Sequence, residues 1–151
     1  MSIPQPAPKP LIRPQLLMAL DNGRDQSVTT TLVQALADSD RGVREHAAMG
    51  LAITPGADVI DPLLGALKDP DAQVREKAAI GLAFRRDPRI IDPLLTAISD
   101  SDSQVREKAA IALGASGDTR AIPALTKAIK DPDSQVREKA VAGLVLLGLV
   151  K

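Results

Sequence analysis

The sequence predicts an all-α solenoid, a stack of helical hairpins, and three observations lead to this fold class. A ten-residue segment that begins at Val43 returns at Val74, Val105 and Val136, which gives a period of 31 residues without slippage. Such a period is typical of stacked repeats. Each period holds two helical patterns rich in Ala, Leu, Glu and Lys. No segment combines sustained alternation with β-branched residues, so we expect essentially no sheet.

The period also divides the chain. Four whole units are predicted, over residues 28–58, 59–89, 90–120 and 121–151. Residues 11–27 are interpreted as an N-terminal half-repeat that acts as a cap, because Ile12 and Arg13 fall in the register of Val43 and Arg44. Proline alternates through residues 1–10, which is typical of an extended linker.

Within each unit, local signals mark two helices. The first helix carries an early proline, such as Pro62, at a position that tolerates a missing N–H. The second opens at an aspartate three residues before the repeated valine, and aspartate is a favoured N-cap. In the third unit, Gly114 and Gly117 suit the exit of the second helix, whereas the second unit has Arg85 and Arg86 there and must end its helix without glycine.

Composition restricts the classes of function. Nineteen basic and nineteen acidic residues cancel, and the chain has a single Phe and no Trp or Tyr. This argues against nucleic-acid binding, which needs a basic surface and stacking aromatics. With no cysteine, disulfides and thiolate metal sites are excluded. The apolar stretch at residues 140–150 is too short to span a bilayer, so no membrane insertion is expected. The compartment stays open between the cytoplasm and an extracytoplasmic domain of a larger membrane protein.

Helix geometry assigns the faces of the second helix. Advancing about 100° per residue from Val74 places Ala78, Gly81 and Leu82 on the same face, which we expect to form the core. The opposite face of this helix carries charged and apolar side chains, namely Glu76, Lys77, Ile80 and Phe84.

The repeated core Val-Arg-x-x-Ala-Ala-x-x-Leu, the Asp-x-Asp turn before it and the 31-residue period resemble the short HEAT-like repeats, a class also associated with bilin lyases. Consensus-designed HEAT-like repeat proteins are similar as well. The resemblance covers residues 28–151 fully and 12–27 partly. It implies antiparallel helix pairs in a right-handed solenoid whose second helices line a concave face.

The candidate binding surface is this concave face. One large apolar residue per unit forms a row, flanked by an acidic and a basic file, and Phe84 adds an aromatic contact. The candidate residues are Met18, Glu45, His46, Met49, Glu76, Lys77, Ile80, Phe84, Glu107, Lys108, Ile111, Glu138 and Lys139. Such exposed apolar rows mark interaction sites, so a protein or peptide partner is predicted. In the alternative interpretation, Met49, Ile80 and Ile111 pack between neighbouring second helices and are mostly buried.

No catalytic, metal or cofactor site is predicted. The repeated Asp40, Asp71, Asp102 and Asp133 are expected to cap helices, and each Arg four positions later is expected to pair with turn carboxylates of its own or the adjacent unit. Two other functions stay open. One is a spacer or homo-oligomerisation module that self-associates through the apolar C-terminal end, including Leu146 and Leu149. The other is a lyase-like enzyme of the HEAT-repeat class.

Overall fold

The computed structural model describes residues 2–4 and 26–149. Over these residues the chain forms eight α-helices and two short 3-10 helices, and no strand. The α-helices are α1 Gln26–Ala35, α2 Arg41–Ile53, α3 Ile60–Ala66, α4 Ala72–Leu82, α5 Ile91–Ala97, α6 Ser103–Ala115, α7 Ile122–Ala128 and α8 Ser134–Leu149. The 3-10 helices Pro88–Ile90 and Thr119–Ala121 lead into α5 and α7.

The helices alternate between two roles. The odd-numbered helices are the short first members of each hairpin, and the even-numbered helices are the longer second members. Each second helix packs against its own first helix and against the next second helix, so α2, α4, α6 and α8 stack in chain order. The chain is therefore an all-α solenoid, as predicted. Most of the predicted linker and half-repeat, including Met18, lies outside the described residues.

The predicted inward face of the second helices is confirmed. Val74, Ala78 and Leu82 are fully buried, and Gly81 is buried with them. Three of the four first helices add one fully buried leucine each, at Leu63 in α3, Leu94 in α5 and Leu125 in α7. Burying a side chain of this size contributes roughly 1.5–3 kcal/mol. One continuous core therefore runs through all the units and holds them in register.

Small residues set the spacing between second helices. Gly114, expected at a helix exit, instead lies inside α6 and faces α8. A Cβ atom on Gly114 would lie 2.5 Å from the Cα atom of Gly143, so this approach requires glycine. Gly117 does follow the end of α6 as expected, with a φ of +70° that favours glycine.

Three of the four predicted N-caps are confirmed. The carboxylates of Asp40, Asp102 and Asp133 accept backbone N–H groups in the first turn of α2, α6 and α8. Asp71 holds the N-cap position of α4 as predicted, but its side chain makes no capping hydrogen bond. That carboxylate accepts from the guanidinium of Arg44 instead, which draws it towards the preceding unit.

At the exit from α4, which lacks glycine, Nε of Arg85 donates to the carbonyl oxygen of Gly81 at 3.1 Å. Its guanidinium reaches back to the preceding unit and donates to the carbonyl oxygens of Gly56 at 2.8 Å and Thr54 at 2.7 Å. It also donates to two carbonyls at the end of α2, those of Leu51 and Ala52. The carbonyl oxygen of Leu51 also accepts from the backbone N–H of Thr54 at 3.2 Å, but the last carbonyls of a helix lack the usual partner four residues on. One arginine therefore caps the second helix of the unit before it, and burial lowers its pKa.

Candidate interaction face

The second helices share an outward side, which we call the second-helix face. It is defined by Met49, Ile53, Ile80, Ile111 and Leu146 on the helices and by Phe84, which was predicted on the helix but lies in the turn just after α4. Four of these apolar side chains are exposed: Phe84 by 79%, Ile53 by 68%, Leu146 by 51% and Met49 by 47%. Large apolar groups left in water on one face are the feature that most suggests a contact surface.

The predicted apolar row is graded in exposure. Met49 stands about half in solvent, whereas Ile80 and Ile111 are half-buried and pack against the core. The core interpretation therefore describes Ile80 and Ile111 better than Met49. These two isoleucines form the floor of the face, and the exposed residues stand above it.

Two exposed residues of this face were missing from the predicted set. Ile53 precedes Phe84 by one period, and Leu146 follows Phe84 by two, so all three hold the same register position. In the third unit this position is Ala115, which leaves a gap in the row. The 31-residue period could have identified Ile53 and Leu146, since Phe84, which holds the same register position, was already a candidate. Leu146, which we assigned to the apolar C-terminal end, holds the register position of Phe84 on α8.

The charged candidates meet one another in pairs instead of forming two separate files. Nζ of Lys108 lies 3.4 Å from Oε1 of Glu107, and Nζ of Lys77 lies 3.9 Å from Oε1 of Glu76. Lys139 and Glu138 make the same pair at 3.7 Å. Because each of these three Glu side chains is matched by its neighbouring Lys, the last three units add little net charge to the face.

Exposure of these glutamates changes along the stack. The side chain of Glu107 is only 10% exposed, and that of Glu138 is 66% exposed. Glu107 is therefore left out of the proposed contact surface. In the first unit, Glu45 is half-buried, and His46 is exposed with its Nδ1 atom 2.7 Å from the carbonyl oxygen of Gly42.

The repeated arginines clamp adjacent units together. Nε of Arg75 donates to Oδ2 of Asp100 at 2.9 Å, and Nη2 donates to Oδ1 at 3.0 Å. Its third nitrogen, Nη1, donates to the carbonyl oxygens of Asp69 and Pro70 in its own turn. The same clamp joins Arg44 to Asp69 and Arg106 to Asp131. The carboxylate partner therefore belongs to the adjacent unit, and the turn of the same unit supplies only carbonyl groups.

These clamps also set the ionisation of the buried turn carboxylates. Burial alone would raise the pKa of Asp100, but the hydrogen bonds from Arg75 and the backbone N–H of Asp102 outweigh it and lower that pKa. Asp131 shows the same balance, with its pKa lowered by Arg106 and the backbone N–H of Asp133. Both carboxylates are committed to the scaffold, because strong guanidinium donors occupy them.

Residues 2–4 and 26–149 contain neither a side-chain cluster suited to a metal ion nor a helix suited to cross a membrane. No group of three or more His, Cys, Asp or Glu side chains is placed there to hold a metal ion. Among the helices of this part of the chain, none is both long and apolar enough to cross a membrane.

Solved structures with the same architecture have diverse functions. The complex of CpcE and CpcF of phycocyanin lyase from Nostoc sp. is similar with a TM-score of 0.75 and 21% identity, over 97% of this chain and 69% of that one. Human deoxyhypusine hydroxylase in complex with glycerol has a TM-score of 0.67 and 25% identity, over 80% of this chain. This chain covers only 43% of the hydroxylase.

A designed armadillo repeat protein in complex with the peptide (KR)4 is also similar, with a TM-score of 0.66 and 20% identity, over 89% of this chain and 68% of that one. No curated protein sequence matches the chain. The family profile described as HEAT repeats matches residues 5–78 and again residues 60–145, which together include nearly the whole sequence. The chain therefore belongs to the HEAT-repeat family.

Proposed function

We propose that this protein is a non-catalytic scaffold that binds a protein or peptide on its second-helix face. The observation that carries the proposal is the exposure of Phe84, at 79%, in the same register as the exposed Ile53 of the unit before it. Aromatic side chains are over-represented among the residues that dominate binding energy. The only aromatic side chain of this chain thus stands where a partner could cover it.

The shape of the row restricts the partner. Neighbouring helices pack roughly 8–10 Å apart, so anchors on successive units are separated by about that distance. On a partner helix, apolar residues seven positions apart are about 10 Å apart, since the rise is about 1.5 Å per residue. An extended peptide in the polyproline II conformation, with three residues per turn and a rise of about 3.1 Å, brings every third side chain to the same side after about 9 Å. The partner is therefore an amphipathic helix or an extended segment with apolar residues at one of these spacings.

Charge pairing adds a second restriction. Because the Glu and Lys side chains are matched in three of the four units, with Glu45 of the first unit followed by His46, the partner needs no strong net charge. Desolvated apolar anchors would then supply most of the affinity, with the charged pairs at the margin adding little. Salt should consequently change the affinity only weakly.

The test is a selection of peptides from a random library of about 20-residue segments, long enough for three helical anchors, against the full chain. We expect selected peptides to carry apolar residues spaced by seven or by three. Replacing Phe84→Glu together with Ile53→Glu should weaken their binding by at least about thirtyfold, which corresponds to about 2 kcal/mol. Binding is measured by fluorescence anisotropy, with helix content checked by circular dichroism.

The matched control is Val141→Glu together with Val145→Glu, which adds the same two charges at exposed positions outside the row. This variant should bind the selected peptides as the parent does. Equal loss in both variants, or no loss in the Phe84 variant, would contradict binding on the second-helix face.

The non-catalytic part of the proposal rests on what the repeated acidic groups already do. The turn carboxylates are engaged in helix caps and inter-unit clamps, which are scaffold roles. The similarity to a lyase complex and to a hydroxylase keeps an enzyme as the third candidate, tested by assay of the purified chain. Self-association is the second candidate, favoured by the exposure of Val141 and Val145 on α8.

A further inference from the structure

A groove opens between the segments that follow α4 and α6, at the junction of the second and third units. It is lined by residues 85–88, 90–91 and 116–119 and has a volume of about 460 Å³, within the range of roughly 300–1,000 Å³ typical of ligand sites. Ile90 and Ile91 are buried and give the groove an apolar part. Because residues 85 and 86 directly follow Phe84, the groove continues from the second-helix face.

The two aspartates in the wall of the groove are matched by arginines of their own segments. The carboxylate of Asp87 accepts from Nη2 of Arg89 at 2.9 Å, and that of Asp118 accepts from Nη2 of Arg120 at 2.9 Å. Each carboxylate also accepts the backbone N–H of that same arginine, which holds it in its turn. The acidic groups of the groove therefore do not neutralise its other two arginines.

Those two arginines, Arg85 and Arg86, have no carboxylate partner. Arg85 donates to backbone carbonyl oxygens only. Arg86 is exposed, lines the groove, and forms no hydrogen bond or ion pair with any residue that the structure describes. The groove consequently carries positive charge, and the guanidinium of Arg86 is open to a ligand. A planar guanidinium suits a carboxylate, which it binds through two parallel hydrogen bonds.

Arg86 also breaks the 31-residue period. One period earlier the chain has Pro55, and one period later it has Gly117. Arginines that hold the stack together recur in successive units, as the inter-unit clamps show. The unmatched guanidinium and the only aromatic side chain of the chain instead stand two residues apart in one unit. This pairing favours a single partner that contacts both side chains.

We propose that the groove binds an acidic side chain, Asp or Glu, of the same polypeptide that covers Phe84, and that Arg86 recognises its carboxylate. The inference rests on the proposed function and adds one feature of the partner. The groove lies on the side of Phe84 that faces the third unit, away from Ile53. In the third unit the apolar row has only Ala115, so the contact there changes from apolar to charged.

The position of the groove predicts where the acidic residue stands in the partner. Adjacent units are roughly 8–10 Å apart, which a partner helix covers in about seven residues. The acidic residue therefore lies within about seven positions of the apolar residue that contacts Phe84. It stands at one end of the apolar pattern only, because the opposite end of the pattern lies towards Ile53.

Three synthetic peptides test the proposal. They are built on the apolar spacing that the library selection returns, with Ala and Gln at the other positions. One peptide has a single Glu beyond the last apolar residue, one has it before the first apolar residue, and one has Gln at both places. Fluorescence anisotropy with the full chain should show that only one of the two Glu peptides binds about fivefold tighter than the Gln peptide.

Variants of the chain assign this preference to Arg86. Arg86→Gln should remove the fivefold preference and leave the affinity for the Gln peptide unchanged. The matched control is Arg41→Gln, since Arg41 is also exposed and without a hydrogen bond within the described residues but lies at the start of α2. This control should keep the preference. Arg86→Glu should favour a peptide that has Lys in place of the Glu, because the charges are then exchanged.

The outcomes separate this inference from the proposed function. If the three peptides bind equally and Ile53→Glu with Phe84→Glu weakens all of them, the second-helix face binds the partner but the groove does not select a carboxylate. A preference for Glu that persists in Arg86→Gln also overturns the inference, because another group then holds the carboxylate. If no peptide binds, both proposals fail. Circular dichroism of each variant checks that the helices are retained.

Discussion

The two edges of the solenoid hold the helix ends by different means. At the turn edge, formed by the Asp-x-Asp turns before α4, α6 and α8, the same arginine clamp recurs at each junction. At the loop edge, formed by the segments that follow α2, α4 and α6, each exit differs. Thr54 bonds the carbonyl of Gly50, Ser116 bonds that of Leu113, and Arg85 caps the preceding unit.

The difference reflects what each edge must do. At the turn edge a guanidinium fixes the position of the next unit, and a bidentate pair requires a defined geometry. At the loop edge the main requirement is to satisfy a few helix-terminal carbonyls, which hydroxyl groups, glycine turns or arginine all do. The same arginine–aspartate pair therefore recurs at the junctions between units, whereas the groups that satisfy the helix-terminal carbonyls vary from one exit to the next.

The largest expected effect is at the turn edge. Arg75→Gln should lower the free energy of unfolding by about 2–3 kcal/mol, because it leaves the largely buried Asp100 without its guanidinium. The matched control is Arg137→Gln, which removes the same carbonyl contacts but no carboxylate partner among the described residues. Urea unfolding should show a loss below about 1 kcal/mol for this control. Equal losses of stability in the two variants would mean that the ion pair with Asp100 contributes little to folding stability.

An intermediate effect is expected at the loop edge. Arg85→Gln removes the donors to four carbonyl oxygens at the end of α2 and in the following loop, and should cost about 1–2 kcal/mol. Arg86→Gln is the control, since Arg86 is exposed and makes no hydrogen bond within the described residues. If both variants unfold at the same urea concentration, water replaces the hydrogen bonds of Arg85 without loss of folding stability.

The smallest expected effect is a loss of folding stability at acidic pH. The pKa of Asp100 is lower in the folded chain than the value near 3.9 of an unfolded aspartate, so the unfolded chain binds more protons between those values. Stability from this group is therefore present above about pH 4 and is lost as the pH falls through the folded pKa. The loss should be modest, because burial offsets part of the lowering.

The measurement is the unfolding free energy of the parent and of Asp100→Asn between about pH 5 and pH 2.5, the range around these pKa values. The parent should lose more stability on acidification than the variant, which has no carboxyl group to titrate at this position. Parallel curves for the two proteins would show that Asp100 does not contribute to the acid sensitivity.

Periodicity predicted the hairpins and the core correctly because both depend on local spacing. The register of Val74, Ala78 and Leu82 fixes one helix face whatever lies beside it. The partner of each arginine was not decided, since carboxylates of its own turn and of the next unit were both available. Only the stacking of adjacent units brings Asp100 to Arg75. The carboxylate of Asp71 does not cap its helix for the same reason, because Arg44 of the preceding unit binds it.

The candidate face was harder to predict because exposure depends on neighbouring helices. Helix geometry placed Glu107 and Glu138 in equivalent positions, yet only Glu107 is buried. The exposed positions Ile53 and Leu146 were predictable from the register of Phe84. Ile80 and Ile111 differ from Met49 in how deeply they settle against the core, which a single helix cannot show.

The spacing of the clamp has a consequence for how such a chain can change in length. Arginine and aspartate are separated by 25 residues at each of the three junctions, and each pair spans a boundary between units. Inserting or deleting a whole 31-residue period joins the arginine of one unit to the aspartate of a new neighbour at the same separation. Duplication of a gene segment would therefore reproduce a working junction at once, without compensating substitutions on either side.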